Sequence, residues 1–234
     1  LFLTTFLFTL NVSAGADWNY KTPENWSKIN DKYHACSGLN QSPIDIQNTI
    51  QAQLPPLIFN YDTTAKNIKN NGHTVQVEFN QGATLELDNK KFELKQFHLH
   101  SPSENTILGK SYPMELHLVH VSDKGELAVV ALMFESGEEN EKLQHIWNVL
   151  PKKVGENKPI HTMQKASNYL PAQLEYYRFN GSLTTPPCTE GVRWLVIKEI
   201  QSASDKQIQK FSELMGHPNN RPIQPLNGRI ITEN

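Results

Sequence analysis

The segment KQFHLHSPSEN (95–105) carries two histidines, His98 and His100, one residue apart. On a strand, residues i and i+2 share a face. Both imidazoles then project together with Gln96, while Phe97 and Leu99 project the other way. Two imidazoles at this spacing can reach one small cation. They can equally be ordinary polar positions on a half-buried strand, and an H-x-H pair alone does not decide between the two. The segment MELHLVHVS (114–122) changes the balance. There Glu115, His117 and Val119 share one face, and Leu116, Leu118 and His120 the other. A neighbouring strand could thus deliver His117 as a third imidazole. Three neutral histidines with an open fourth position make a catalytic zinc site, whereas structural zinc sites are closed by four protein ligands. A metal-bound histidine donates its other N–H to a carboxylate, amide or carbonyl. Gln96 could hold one of the strand pair in this way, and Glu115 could hold His117. The alternatives are a satisfied core histidine at 117 and a surface-facing carboxylate at 115, since strand parity does not by itself bring the two segments together.

Positioning these groups falls to a series of segments with alternating apolar residues. They are HTVQVEF (73–79), ATLELD (83–88), KFELKQFHLH (91–100), MELHLVHVS (114–122), LAVVALMF (127–134) and VRWLVIKEI (192–200). The last two are nearly continuous apolar runs, as suits central strands buried on both faces. Turn signals at NNG (70–72), NQG (80–82), DNKK (88–91) and SDKG (122–125) leave gaps short enough for hairpins. The spacing therefore predicts a single, predominantly β (α+β) domain around a large, mostly antiparallel twisted sheet. Helical spacing occurs in NEKLQHIWNVL (140–150) and SDKQIQKFSELM (204–215), the second with Ser204 as N-cap.

The chain of 234 residues is long enough for one sizeable core. Its 22 Lys+Arg and 24 Asp+Glu give a net charge of −2 with no basic block. That argues against a nucleic-acid partner held through phosphates. Residues 1–16, LFLTTFLFTLNVSAGA, are apolar, uncharged and end in Ala14-Gly15-Ala16, the pattern of a secretory signal and its cleavage site. They read as part of a signal peptide, with the mature domain at 17–234 and a periplasmic or secreted location. A membrane anchor would need about 20 apolar residues, and Asn11 interrupts this run. In an exported chain the two cysteines, Cys36 and Cys188, read as one disulfide, with two buried thiols as the alternative.

Together, QFHLHSPSEN, MELHLVH, NGHTVQVEF, SLTTPPCTEGVRWLV, RPIQPLNGR and QSPIDI resemble the signature segments of the α-class carbonic anhydrases, in order across nearly all of 17–234. The resemblance implies the fold of that family, a zinc cofactor, and reversible hydration of carbon dioxide to bicarbonate. It makes His98, His100 and His117 the zinc ligands, with Gln96 and Glu115 holding them. Thr184 then matches the hydroxyl that hydrogen-bonds the attacking hydroxide, and Glu104 the carboxylate that accepts the proton of Thr184. Thr185 lies at the substrate position. His73 matches the proton shuttle, with Tyr20 and Asn71 as polar groups ordering the water between. Val119, Val129, Leu183, Val192 and Trp194 match the apolar wall where carbon dioxide rests. His34, His120, His145, His161 and His217 match no catalytic position and are assigned to surface or packing roles. HLHSPSEN lacks the aromatic-glycine pair that follows the second histidine in animal members, which resembles the bacterial branch. Gln76 stands where many relatives carry another polar residue.

By the same resemblance the small-molecule partners are carbon dioxide and bicarbonate, with sulfonamides or anions as inhibitors. A homodimer is among the assemblies implied. A side esterase activity toward activated esters would follow from the same chemistry. A catalytically dead binding module of this fold would have lost ligands, and all three histidines, Thr184 and Glu104 are present. A zinc hydrolase of another class finds no H-E-x-x-H here.

Overall fold

Strands that alternate apolar and polar residues must pair edge to edge and bury one face, and most of the alternating segments join one sheet. The computed structural model describes residues 18–161 and 164–234. Segment 1–16, read above as an export signal, lies outside the described residues. A thirteen-stranded sheet forms the body of the domain. Its middle runs, in spatial order, Ala65–Asn70, Val75–Phe79, Lys90–His100, Met114–Ser122, Leu127–Ser136, Glu190–Ile197 and Tyr176–Ser182. The first five of these are antiparallel to one another in turn. The sheet is thus largely antiparallel, with a departure at its centre. Leu127–Ser136 and Glu190–Ile197 pair in parallel, Ala128 opposite Arg193 through Ala131 opposite Val196. Parallel neighbours need a long crossover, here residues 137–189, which include the helix Glu141–Trp147.

The sheet separates two apolar layers. On one face Phe97, Leu99, Leu116, Leu118, Val130 and Leu132 pack with Trp147 and Phe211 of the helices Glu141–Trp147 and Asp205–Met215. On the other, Val119, Val129, Ala131, Val192 and Trp194 form a smaller cluster. The second helix begins as its sequence suggests, with Ser204 and Gln207 closing a capping box.

One irregularity controls the placement of the histidines. A strand that alternated without interruption from Phe92 would put Phe92, Leu94, His98 and His100 on one face. Instead Leu94 lies opposite His120 and Gln96 opposite Val119, so Lys95 is an extra residue in the ladder. Such a bulge reverses the parity of everything beyond it. Phe92 and Leu94 therefore point into the helix-covered core together with Phe97 and Leu99, while Gln96, His98 and His100 point to the opposite face.

Cys36 and Cys188 form a disulfide with Cα atoms 4.8 Å apart across a sequence separation of 152. Closing so long a loop stabilises the fold by about 4–5 kcal/mol in the chain-entropy view. His120, assigned above to packing, is fully buried. Its Nε2 meets the Tyr61 hydroxyl and its Nδ1 meets the Ala128 carbonyl at 3.2 Å. Burial pushes it down to about 4 from the usual 6.5.

Above pH 6.5 His120 is neutral whether folded or unfolded, and contributes no pH dependence. Between pH 6.5 and 4 the unfolded chain takes up a proton that the folded chain refuses, so stability falls as pH falls, by roughly 3 kcal/mol in total. We expect urea unfolding of His120→Gln to lose this contribution. Its stability should fall less steeply between pH 6.5 and 4 than the parent's, by about 1.4 kcal/mol per pH unit. Equal slopes would contradict a neutral buried His120.

Candidate metal centre

The geometry of the three histidines follows from pairing register. His98 lies directly opposite His117 on adjacent antiparallel strands, and His100 lies opposite Glu115. The three rings converge, with centroids 5.0 Å apart for His98–His100, 5.2 Å for His98–His117 and 4.6 Å for His100–His117. One nitrogen from each lies within 4.8 Å of the others. His100 and His117 are 1% exposed, whereas His98 keeps some contact with solvent.

Each ring has its other nitrogen beside an acceptor. His98 Nδ1 is 2.9 Å from Gln96 Oε1 and His100 Nδ1 is 2.7 Å from the Asn219 carbonyl. Both partners are acceptors, so both nitrogens carry the proton, and the Nε2 lone pairs are left free. His117 is reversed. Its Nε2 lies 2.8 Å from Glu115 Oε1, off the line of the ring N–H, which leaves Nδ1 as the free atom. Burial lowers the pKa of all three, and their mutual charge lowers His98 and His117 further. The site therefore favours three neutral imidazoles with lone pairs aimed at one point. His100 Nε2 is buried with no hydrogen-bond partner. A cation at that point would satisfy it, and a set of three imidazoles suits zinc.

Two buried carboxylates back the triad. Glu115 accepts from Glu104 N (2.7 Å), Asn105 N (2.9 Å) and Asn105 Nδ2 (2.7 Å). Burial raises its pKa, and the Asn105 amide offsets this most among the hydrogen bonds. Glu104 accepts from Arg221 N at 2.9 Å through Oε1. Its Oε2 has no hydrogen-bond partner and faces His100 Nε2 at 3.4 Å and His117 Nδ1 at 3.9 Å. Burial drives the Glu104 carboxyl well above the usual range. The Thr184 hydroxyl acts against this, as do the Arg221 amide and guanidinium.

Thr184 is 5% exposed, on a loop closed by Leu183 N to Thr189 O (2.9 Å) and Cys188 N to Thr185 O (2.8 Å). The disulfide ties this loop to Cys36, and Arg221 binds the Cys36 carbonyl at 3.0 Å and the Gln41 amide at 2.8 Å. Val119, Val129, Val192 and Trp194 fall in one buried cluster with half-buried Leu183 packed against it. The Trp194 ring sits 4.9 Å from that of His117. Thr185 is half-buried beside Thr184.

His73 stacks on Trp18, with centroids 3.8 Å apart and planes 12° from parallel. Tyr20 lies 6.3 Å from it. Asn71 commits its side-chain oxygen to the turn, accepting from His73 N (2.9 Å) and Thr74 N (2.8 Å). Its oxygen shapes the backbone that carries His73.

Sequence reasoning missed Asn219, Asn105, Arg221 and Trp18. Asn219 holds His100 through its carbonyl, and its Nδ2 donates to the carbonyls of His73 (3.0 Å) and Leu99 (2.9 Å). The one signal in the sequence is proximity to RPIQPLNGR, since no periodicity marks this stretch. A separate cleft of about 710 Å³ is lined by Asp88, Glu126, Arg178, Arg193 and Arg229. Its arginines have their donors engaged by carboxylates or main-chain carbonyls.

Known proteins share this arrangement of segments. The profile of the eukaryotic-type carbonic anhydrase family matches residues 21–234. A carbonic anhydrase of Pectobacterium atrosepticum is 47% identical over 228 residues, covering 96% of this chain and 93% of its own. The α-carbonic anhydrase of Thermovibrio ammonificans, solved with the inhibitor sulfanilamide, superposes with a TM-score of 0.91 at 43% identity over 93% of this chain and 99% of that one. The α-carbonic anhydrase of Photobacterium profundum gives 0.88 at 48% identity, covering 93% and 100%.

Groups that orient a metal-binding histidine set affinity through it, by about 10–100-fold. Glu115→Gln should therefore weaken Zn2+ binding to the metal-stripped protein by about that factor in competition with a chromophoric chelator. Unchanged affinity would show that Glu115 does not orient His117.

Proposed function

The chain belongs to the eukaryotic-type carbonic anhydrase family, and on that premise we propose that it binds one zinc ion at His98, His100 and His117 and catalyses the reversible hydration of carbon dioxide to bicarbonate and a proton. The observation that carries this reading is the convergence of three imidazole nitrogens, with the opposite nitrogens of His98 and His100 hydrogen-bonded to acceptors and that of His117 beside the Glu115 carboxylate. Zinc held there supplies the Lewis acidity that makes hydroxide available near neutral pH, as is established for carbonic anhydrases in general.

The surrounding residues have separable tasks. Burial raises the Glu104 pKa, while the Thr184 hydroxyl and then Arg221 act to favour its ionised form, which can only accept a hydrogen bond. The Thr184 hydroxyl then turns its proton toward Glu104 and offers its lone pair outward, which orients the attacking hydroxide. Thr185 adds a second hydroxyl at the substrate position. Carbon dioxide is uncharged, so an apolar surface retains it without clamping the charged product. Val119, Val129, Leu183, Val192 and Trp194 supply that surface. Each turnover leaves one proton to be exported, and an imidazole is suited to carry it near neutral pH. His73 takes this role, with Tyr20 lining the path and Asn71 shaping the turn.

The same site would cleave activated esters slowly, and sulfonamides or small anions would compete for it. The second point is supported by the sulfanilamide complex of the Thermovibrio relative. Among the described residues no helix is long and apolar enough to cross a membrane. We read 1–16 as an export signal, 17–234 as the catalytic domain, and the location as periplasmic or secreted, which the disulfide supports. A homodimer is part of the same reading, by resemblance to the bacterial relatives.

Two substitutions test the assignment. His117→Ala should abolish zinc retention in elemental analysis and hydration in stopped-flow assays, and a variant keeping both would refute the triad. His73→Ala should keep its zinc but turn over about 10²-fold more slowly in dilute buffer, and added imidazole should restore much of the rate. Equal rates for His73→Ala and the parent in dilute buffer would remove His73 from the pathway.

A further inference from the structure

The corner of the molecule that holds His73 contains a second histidine that the reaction leaves unused. Tyr20 neighbours both, its ring centroid 6.3 Å from that of His73 and 6.3 Å from that of His217. His217 is exposed and follows Gly216, the left-handed residue that ends the helix Asp205–Met215. Two residues on, the Asn219 side chain donates to the His73 carbonyl at 3.0 Å, so a single side chain ties both histidine-bearing turns together. His217 Nδ1 lies 2.9 Å from the Pro218 carbonyl. A carbonyl only accepts, so the neutral ring carries its proton on Nδ1 and leaves the Nε2 lone pair free.

The titratable groups at this corner are His73, Tyr20 and His217. Burial, with the charge of Glu104 from deeper in the pocket, holds the Tyr20 phenol protonated far above its ordinary range. Tyr20 is therefore a wall and not a carrier. His73 is held below the usual histidine value, first by burial and second by the charge of His217. The two imidazoles are thus close enough to feel each other, and the outer one faces bulk solvent.

We propose that His217 is the outer member of a two-histidine proton relay, receiving the proton from His73 past Tyr20 and passing it to buffer. The proposal rests on His73 being the inner carrier. The proton leaves the His73 imidazolium, crosses through solvent water at the pocket mouth, and enters at His217 Nε2. It then departs from the His217 imidazolium to a buffer base. Both rings return to neutral and no other reactant is consumed. His217 belongs to the segment that also positions His100 through Asn219, so a purely structural effect must be separated from proton transfer.

The test uses the zinc-loaded enzyme with His217→Ala, His217→Gln and His73→Ala, assayed by stopped-flow hydration in dilute and concentrated imidazole buffer. Both His217 variants should show kcat about three- to tenfold lower in dilute buffer, a fraction of the ~10²-fold that a positioned proton-transfer group contributes. Their kcat/KM should be unchanged, because attack on carbon dioxide precedes proton export, and imidazole should restore kcat. The pKa read from the kcat profile should also rise in His217→Ala, since a like charge beside His73 has gone. If the His217 variants match the parent in dilute buffer while His73→Ala is slow, the relay is overturned and the role of His73 stands. If His73→Ala also matches the parent, the inner carrier is overturned and the relay with it. A parallel fall in kcat/KM that imidazole does not restore would mean that His217 acts through structure alone, which also overturns the relay.

Discussion

Everything at the centre depends on one constraint, that three imidazole lone pairs point at the same spot in a buried site. An imidazole is nearly symmetric, and burial keeps it neutral without deciding which nitrogen carries the proton. The decision is made by the partner of the other nitrogen. Gln96, the Asn219 carbonyl and Glu115 each stand at one ring. Two of these are side chains on the same strands as the histidines they hold. The third is a backbone carbonyl from a segment more than a hundred residues away. The histidine set therefore forms only when the sheet and the irregular C-terminal segment are both in place.

The C-terminal segment in turn holds the deeper layer. Arg221 gives its amide to Glu104 and its guanidinium to Cys36, Gln41 and Ser42, so one residue reaches both the carboxylate beside the triad and the N-terminal strap. The strap is joined by the disulfide to the Thr184 loop. A buried guanidinium needs its charge offset and its donors filled, and these contacts supply most of that need. Its pKa is still pushed down to about 10 by burial. The unfavourable burial of that charge is offset by contacts that fix three chain segments around the reactive centre at once.

Much of this is legible in the sequence, and the rest is hidden for identifiable reasons. The strands Met114–Ser122 and Leu127–Ser136 are readable because their alternation, or its absence in a doubly buried strand, matches the pleat. Ser204 is readable as a cap because capping chemistry is local. The shared face of Gln96, His98 and His100 follows from strand parity, yet the bulge at Lys95 that turns them away from Phe92 and Leu94 leaves no mark beyond an unremarkable lysine. The strand Ala65–Asn70 escapes notice because AKNIKN is too polar to alternate visibly. Parallel pairing at the sheet centre depends on where a long crossover returns, which no window of residues encodes. Asn219 and Arg221 act through long-range contacts from a segment without periodicity, and the family resemblance includes Arg221 as the first residue of RPIQPLNGR without assigning its contacts, and only adjoins Asn219.

Hydration by this chain requires that the triad hold the metal that drives it. The most direct measurement is zinc content and carbon dioxide hydration on the same preparation, before chelation, after it, and after zinc is returned. One zinc per chain is expected, with loss of hydration in step with loss of zinc and recovery of both together. Full hydration by a metal-free preparation would contradict the zinc assignment.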